Sequence, residues 1–350
     1  VLRGGEVRGG NGRSAAAVRD SRSAQTFARL FETSLESGDD GIWQAAIQAL
    51  VQLDRDGNLT FQTLKALSEQ QLAPVAEHLA VDLLARIIDA SSDSADRPSS
   101  LPAASESACR WAGLMERWSL LALIAEQRQP PLQPHENGTN ARQLAIDRLL
   151  AESLMQTRRS HDALPWWDAI IDVHHADDFP TLLRGAEVAT AHGSVEQASS
   201  RLQAAAQAAA DDPFGLALVG MLEAELAIRR ARMDEARERL SAIVRATESA
   251  AELRPRAQWL IGETYFLQGK YAEAIDQYRR VEALDTNGQW AAAAMLQAGK
   301  AFEKVGRSRE AATCYTALLS RFGDSPNAAQ ARSRLAHLGD SDRAGSPLRR

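Results

Sequence analysis

A chain of 350 residues is long for one compact core, but it suits two small units or an elongated repeat array whose core grows along one axis. Alanine is abundant, aromatics make up 5% and the hydrophobic share is an ordinary 45%, which favours closely packed helices over a sheet of Val, Ile, Tyr and Phe. The net charge of -6, from 40 Lys plus Arg against 46 Asp plus Glu, gives no overall attraction for phosphate backbones or anionic lipid, so nucleic acid is not an expected partner.

Residues 1–23 are Gly- and Arg-rich without apolar period and read as a disordered tail. Their Arg3-Gly4-Gly5 and Arg8-Gly9-Gly10 lack the interleaved aromatics of RNA-binding segments. They also lack the apolar stretch of a signal peptide, so the chain as it stands reads as cytoplasmic, and a periplasmic or envelope location would need a signal segment upstream of Val1.

Residues 24–90 read as N-terminal helical hairpins. Phe27, Leu30, Phe31 and Leu35 form one stripe at helical spacing, and Ile42, Trp43, Ala46, Ile47, Leu50 and Leu53 a second. Thr60 is expected to cap a third helix, and Leu72, Val75, Leu79, Leu83, Leu84, Ile87 and Ile88 mark a fourth. Residues 91–107 are rich in Ser, Pro and Asp and read as a linker. Residues 108–140 read as a connecting helix, Cys109 to Gln127, and a loop, PPLQPHENGTN.

From about Ala141 a period shows itself. Small residues at Ala151, Ala186, Ala224, Gly262 and Gly299 recur roughly every 35–38 residues. Around Gly262 stand Ile261, Tyr265, Gly269, Tyr271, Ala274, Tyr278 and Val281; around Gly299 stand Phe302, Gly306, Ala311, Tyr315 and Leu318. Small residues suit a close helix crossing, Gly269 suits a turn, and the tyrosines fill space between helices. These residues resemble the tetratricopeptide-repeat consensus. The resemblance implies an all-α, right-handed superhelical solenoid of antiparallel helix pairs over 141–338, with a more divergent helical part before it. The extra residues beyond the family's usual period fall between hairpins, as in Asp285–Gln289. The ending LLSRFGDSPNAAQARSRLAHL looks like the last repeat of bacterial cell-envelope proteins of this class, the outer-membrane assembly lipoproteins and the Tol-Pal coordinator. Ser325 is expected to cap the final helix and Gly339 to stop it, leaving 339–350 as a second tail.

In this family the first helix of each hairpin lines the inner surface of the stack. The resemblance places Glu152, Glu187, Glu225 and Glu263, then Lys300, in one inward column, with Trp259 and Phe266 beside it. The column reads either as an acidic ladder for a basic peptide or as a solvated face where Glu is frequent because it favours helices.

Other constellations point to no chemistry. DVHHADD holds Asp172, His174, His175, Asp177 and Asp178, but adjacent helical residues point apart and a solvated turn is expected. DRDGNLT at Asp54–Thr60 reads as a turn and cap rather than a calcium loop, since Gln52 and Thr63 fall on essential ligand places. The triplets Asn58-Leu59-Thr60 and Asn137-Gly138-Thr139 are matched by chance at this length. Cys109 and Cys314 belong to no CxxC. The apolar runs Leu120–Ala125 and Trp290–Leu296 fall short of the roughly 20 residues of a membrane span. No phosphate loop, zincin or nucleophile-elbow motif is present, so neither enzyme nor cofactor nor metal is expected. The expected function is a protein-binding scaffold or adaptor holding a peptide or helix. A structural part in a bacterial envelope assembly is the alternative, and an enzyme site in the N-terminal helices a remoter one.

Overall fold

The structure, a computed structural model, describes residues 11–54, 57–70, 72–92, 103–128, 130, 141–246, 248–285 and 288–344. The described residues are helical throughout, with no strand among them, as expected for an α solenoid. The chain divides into two compact units, Val1–Asp177 and Asp178–Arg350.

The first unit holds α1 (Asn11–Ser37), α2 (Asp40–Leu53), α3 (Asn58–Glu69), α4 (Ala73–Ser92), α5 (Ala103–Leu114), α6 (Trp118–Gln127), α7 (Ala141–Gln156) and α8 (Ser160–Asp168). A π-helical turn, Ala169–Val173, follows. Consecutive helices pair, and the first helix of each pair also packs on the next: α1 on α3, α3 on α5, α5 on α7. Phe31 meets the edge of Trp43 at 5.0 Å, and Phe31, Ile47, Leu50, Leu64 and Leu67 are fully buried.

Several sequence expectations are corrected here. Residues 11–23 continue α1, so the tail assigned to 1–23 can apply only to 1–10, which lie outside the described residues. The linker assigned to 91–107 reaches into α5, whose Ala104, Ser105, Glu106 and Ser107 are buried. The serines misled because short hydroxyls permit close packing when each finds a carbonyl: Ser105 donates to Leu83 O at 3.0 Å and Ser107 to Gly57 O at 2.7 Å. Cys109–Gln127 is a hairpin of two helices rather than one connecting helix. The cap of α3 comes from Asp54, whose carboxylate accepts from Leu59 N (3.2 Å) and Thr60 N (2.7 Å), and Thr60 lies within the helix. His174 does not sit in a solvated turn: it is buried, with Nε2 2.9 Å from the buried Asp147 carboxylate on α7. The segments 93–102, 131–140 and 345–350, with the Asn137 triplet, lie outside the described residues.

The second unit holds α9 (Phe179–His192), α10 (Val195–Ala209), α11 (Pro213–Arg229), α12 (Met233–Arg245), α13 (Arg254–Leu267), α14 (Tyr271–Leu284), α15 (Gln289–Lys304), α16 (Ser308–Arg321) and α17 (Ala328–Ala344). Four hairpins stack in chain order, each second helix packing on the next first helix, and α17 covers α16. The first helices also touch, α9 on α11 and α13 on α15, while the 3-10 turn Glu248–Leu253 lies between α11 and α13 and contacts both. Those extra residues fall between hairpins, as the long period required. Ser325 does not cap α17 with its side chain, because its buried hydroxyl has no partner; its carbonyl accepts from Ala328 N at 3.0 Å. Gly339 lies inside α17 rather than ending it.

The small positions have the packing role their size implied. A Cβ on Gly262 would run into the ring of Tyr278, and one on Gly299 into the ring of Tyr315. Ala274 and Ala311 are fully buried at the same crossings.

Five hairpin turns, two in the first unit and three in the second, share one backbone form. Glu116, Arg158, Ala231, Gly269 and Gly306 all have positive φ, between 54° and 75°. In each case the next residue donates to a carbonyl in the last turn of the first helix: Arg117 to Ala112 at 2.8 Å, Arg159 to Leu154 at 2.7 Å, Arg232 to Ala227 at 2.8 Å, Lys270 to Tyr265 at 2.9 Å and Arg307 to Phe302 at 2.9 Å. That next residue is always basic, which suits the negative end of the helix it follows, and four of the five have an acid three places on. The α5–α6 and α7–α8 hairpins of the first unit therefore have the turn of the repeats, with Glu116 and Arg158 where the last two hairpins have Gly269 and Gly306.

Candidate functional site

The first helices of the second unit form one layer, and their side chains reach across it. Arg256 on α13 donates to Glu225 on α11 at 2.6 Å. Gln297 on α15 donates to Glu263 on α13 at 2.7 Å, and Arg334 on α17 to Glu303 on α15 at 2.8 Å. Each bond joins a first helix to the helix one repeat further on, so the column is laced across the repeats.

The second helices contribute tyrosines. Tyr278 donates its hydroxyl to Glu263 at 2.7 Å, and Tyr315 donates to Glu303 at 2.5 Å. Burial raises the Glu263 carboxyl above its ordinary value, against the lowering effect of the Tyr278 and Gln297 bonds and of Lys300. Burial and the Glu263 charge likewise raise the Tyr278 phenol.

Each expected residue can now be placed. Glu152 lies on α7 of the first unit, where Gln156 donates to it at 2.7 Å. Glu187 lies on α9 and pairs with Arg184 of its own helix at 2.7 Å, both side chains more than a third exposed, an arrangement of small energetic weight. Glu225, Glu263 and Lys300 lie on α11, α13 and α15, each half-buried. Trp259 is half-buried and faces Trp290 at 5.5 Å, packed into the core on both sides of α13. Phe266 is half-buried against the edge of Tyr271 at 5.2 Å.

The structure thus departs from a ladder of unopposed carboxylates. Arg184, Arg256, Gln297 and Tyr278 supply a donor to each Glu of the second unit's column. Sequence reasoning missed Arg256, Gln297 and Arg334 because a repeat register names one position per copy, whereas these sit at other points of their helices and meet the column only through the stacking.

Chemistry of another kind is weakly provided for. Among the described residues no group of three His, Cys, Asp or Glu is placed to hold a metal ion. Cys109 is buried and its thiol is pushed up to about 12, chiefly by that burial, which leaves it protonated and inert. No helix among the described residues is long and apolar enough to cross a membrane.

The hairpin crossings, shared turns and stacked first helices are the geometry of one repeat class. Residues 221–294 and 296–345 match the tetratricopeptide-repeat family model. Tetratricopeptide repeats generally mediate protein–protein contacts and typically serve as non-catalytic scaffolds. No curated protein matches the chain. Among solved structures, a tetratricopeptide repeat protein from Parabacteroides merdae is similar at 12% identity and a TM-score of 0.48, over 91% of this chain and 99% of that one. A signal-transduction ATPase with a tetratricopeptide-repeat sensor from Pyrococcus horikoshii is similar at 13% identity and a TM-score of 0.45, over 93% of this chain and 50% of that one. The MamA protein is similar at 16% identity and a TM-score of 0.36, over 51% of this chain and 91% of that one.

Proposed function

We propose that the chain is a protein-binding scaffold or adaptor, and that the layer of first helices in the second unit receives a peptide or helix of its partner. The supporting observation is the polar lacing of that layer. Glu225 and Glu263 are held by bonds from neighbouring helices at half-buried positions on consecutive repeats, with Trp259 and Phe266 on the same helix as Glu263 and Lys300 on the next first helix. Side chains fixed by cross-repeat bonds are pre-organised, so a partner loses less free energy in ordering them. Glu187 extends the same register on α9.

In its finer form the partner segment is basic where it meets Glu187 and Glu225, each of which is engaged through one oxygen only. The alternative, a permanent structural contact in an envelope assembly, would call for a broad apolar patch. The second unit's exposed large apolar residues stand apart, Leu216, Leu267 and Leu284 on three different helices and Val305 in the turn after α15, which favours the groove.

The test is affinity capture with the intact chain, followed by calorimetric titration of the captured partner against the double variant Glu187→Ala, Glu225→Ala. Binding is expected to weaken several-fold and to lose part of its salt dependence. Unaltered affinity and salt response would move the binding surface off this wall. Glu263 is best left out of the variant, because its truncation would strand the Tyr278 hydroxyl and confuse stability with binding.

A further inference from the structure

In four of the five left-handed hairpin turns the basic residue is followed three places on by an acid, Asp162, Glu235, Glu273 or Glu310. Arg159, Arg232 and Arg307 bond to theirs. The α5–α6 hairpin departs from this pattern. Leu120 stands in the place of the acid, the first turn of α6 holds no acid at all, and Arg117 instead reaches Glu77 of α4 at 2.5 Å.

Leu120 opens onto a cavity. About 680 Å³ of open space lies between α4, the α5–α6 turn and the α7–α8 turn, with Val81, Trp118 and Leu120 as its apolar lining and Glu116 and Arg158 at the two turns. Val81 is 43% exposed, and Leu114, two residues before Glu116, is 70% exposed. Trp118 is half-buried, and among the described residues its indole has neither a ring contact nor a hydrogen bond.

Three positions around this cavity hold residues that folding alone would not select. An acid in place of Leu120 would pair with Arg117 and suit the positive end of α6. Glycine in place of Glu116 and Arg158 would relieve φ values of +54° and +61°, and the chain does use glycine at the matching Gly269 and Gly306. Residues kept against stability concentrate at binding sites. The Glu116 and Arg158 side chains are exposed and have no hydrogen bond or ion pair among the described residues, which leaves one acid and one base for a partner to meet.

We infer that this cavity is a docking site on the first unit, separate from the groove of the second, for a protein segment whose large apolar side chain stands between a basic and an acidic residue. The apolar side chain lies against Val81, Trp118 and Leu120, the basic residue faces Glu116 and the acidic one Arg158. The four charges of the lining, Glu77, Glu116, Arg117 and Arg158, balance, so a purely cationic or anionic ligand gains little there and the apolar contact sets the affinity.

The test uses the whole chain and a library of random linear peptides displayed on phage, with affinities of the selected peptides measured by fluorescence anisotropy. The native chain is expected to enrich a group of peptides with an aromatic residue, Leu or Met between a basic and an acidic residue. Leu120→Glu, which restores the acid of the other hairpins, is expected to bind this group about tenfold more weakly while melting no lower than the native chain. Arg158→Gly is expected to melt higher, and to weaken binding several-fold only for peptides that retain their acidic residue. Peptides of this group bound equally well by Leu120→Glu, or selection of no such group, would overturn the inference. A lower melting temperature for Leu120→Glu would overturn it by making Leu120 structural. Self-association of the native chain that Leu120→Glu abolishes would overturn it by giving the cavity to a second copy. Each of these outcomes leaves the groove reading standing, because that reading rests on the other unit.

Discussion

Gly262 shows how little freedom a close crossing leaves. Its Cα faces the ring of Tyr278, a fully buried side chain that cannot retreat into solvent, so one added methyl must displace ring or backbone. Gly262→Ala is expected to destabilise the second unit by about 1–3 kcal/mol, measured by chemical denaturation. Glu273→Ala, on the exposed face of α14, is expected to leave the midpoint unchanged. Tyr278 also carries an electrostatic prediction. Burial raises the Glu263 carboxyl, so the stability it contributes is full below the unfolded value near 4.5 and falls as pH rises through the folded value. Glu263→Gln does not titrate. Its stability relative to the native chain is therefore expected to increase from pH 4 to pH 7, and a constant difference across that range would refute the assignment. Tyr278→Phe removes the donor that steadies the ionised carboxylate, and its destabilisation is expected to be larger at pH 7 than at pH 4.

At the scale of elements, the hairpin turn explains both what is repeated and what is hidden. Its left-handed residue is glycine in the two clearest repeats, Gly269 and Gly306, where φ is +72° and +75°. Ala231, Arg158 and Glu116 adopt the same conformation with a Cβ attached, at a cost of about 1 kcal/mol each. Ala231→Gly is accordingly expected to stabilise the second unit by up to about 1 kcal/mol, and Gly269→Ala to destabilise it by a similar amount, both read from denaturation midpoints. The α9–α10 hairpin lacks this turn: Gly193 has φ -77°. Arg229, at the end of α11, reaches back instead and donates to the carbonyls of Ala189, Thr190 and Gly193. One charged side chain from the next repeat thus satisfies a helix end that backbone bonds satisfy elsewhere.

For the molecule as a whole, the second unit contains its own core. The buried clusters running from Met221 to Ala331 draw only on its residues, and α17 closes the last of them with Ala328 and Ala331. A fragment of residues 178–345 is expected to fold alone, with helical circular dichroism and cooperative unfolding in urea. Cutting it after Phe322 would bare the packing of Phe302, Tyr315 and Leu318, and is expected to lower the midpoint. A fragment without a cooperative transition would show that the unit depends on the rest of the chain.

Composition, helical stripes and the spacing from Ala151 to Gly299 were enough to establish an all-helical stack of hairpins and to find the residues at its crossings. These are properties of neighbours a few turns apart, and local periodicity records them. The α5–α6 hairpin was less legible, since its turn holds Glu116 rather than glycine and its serines resemble a linker, although the basic residue after the turn is visible in the sequence. The repeat register put Glu225, Glu263 and Lys300 at matching points of successive first helices, but their electrostatic state depended on Arg256, Gln297, Tyr278 and Arg334. Those partners stand 15 to 34 residues from the groups they meet, at positions no single-repeat register marks. Whether a carboxylate is free or paired is a matter of a few ångströms between helices, and only the packing of one hairpin on the next decides that distance.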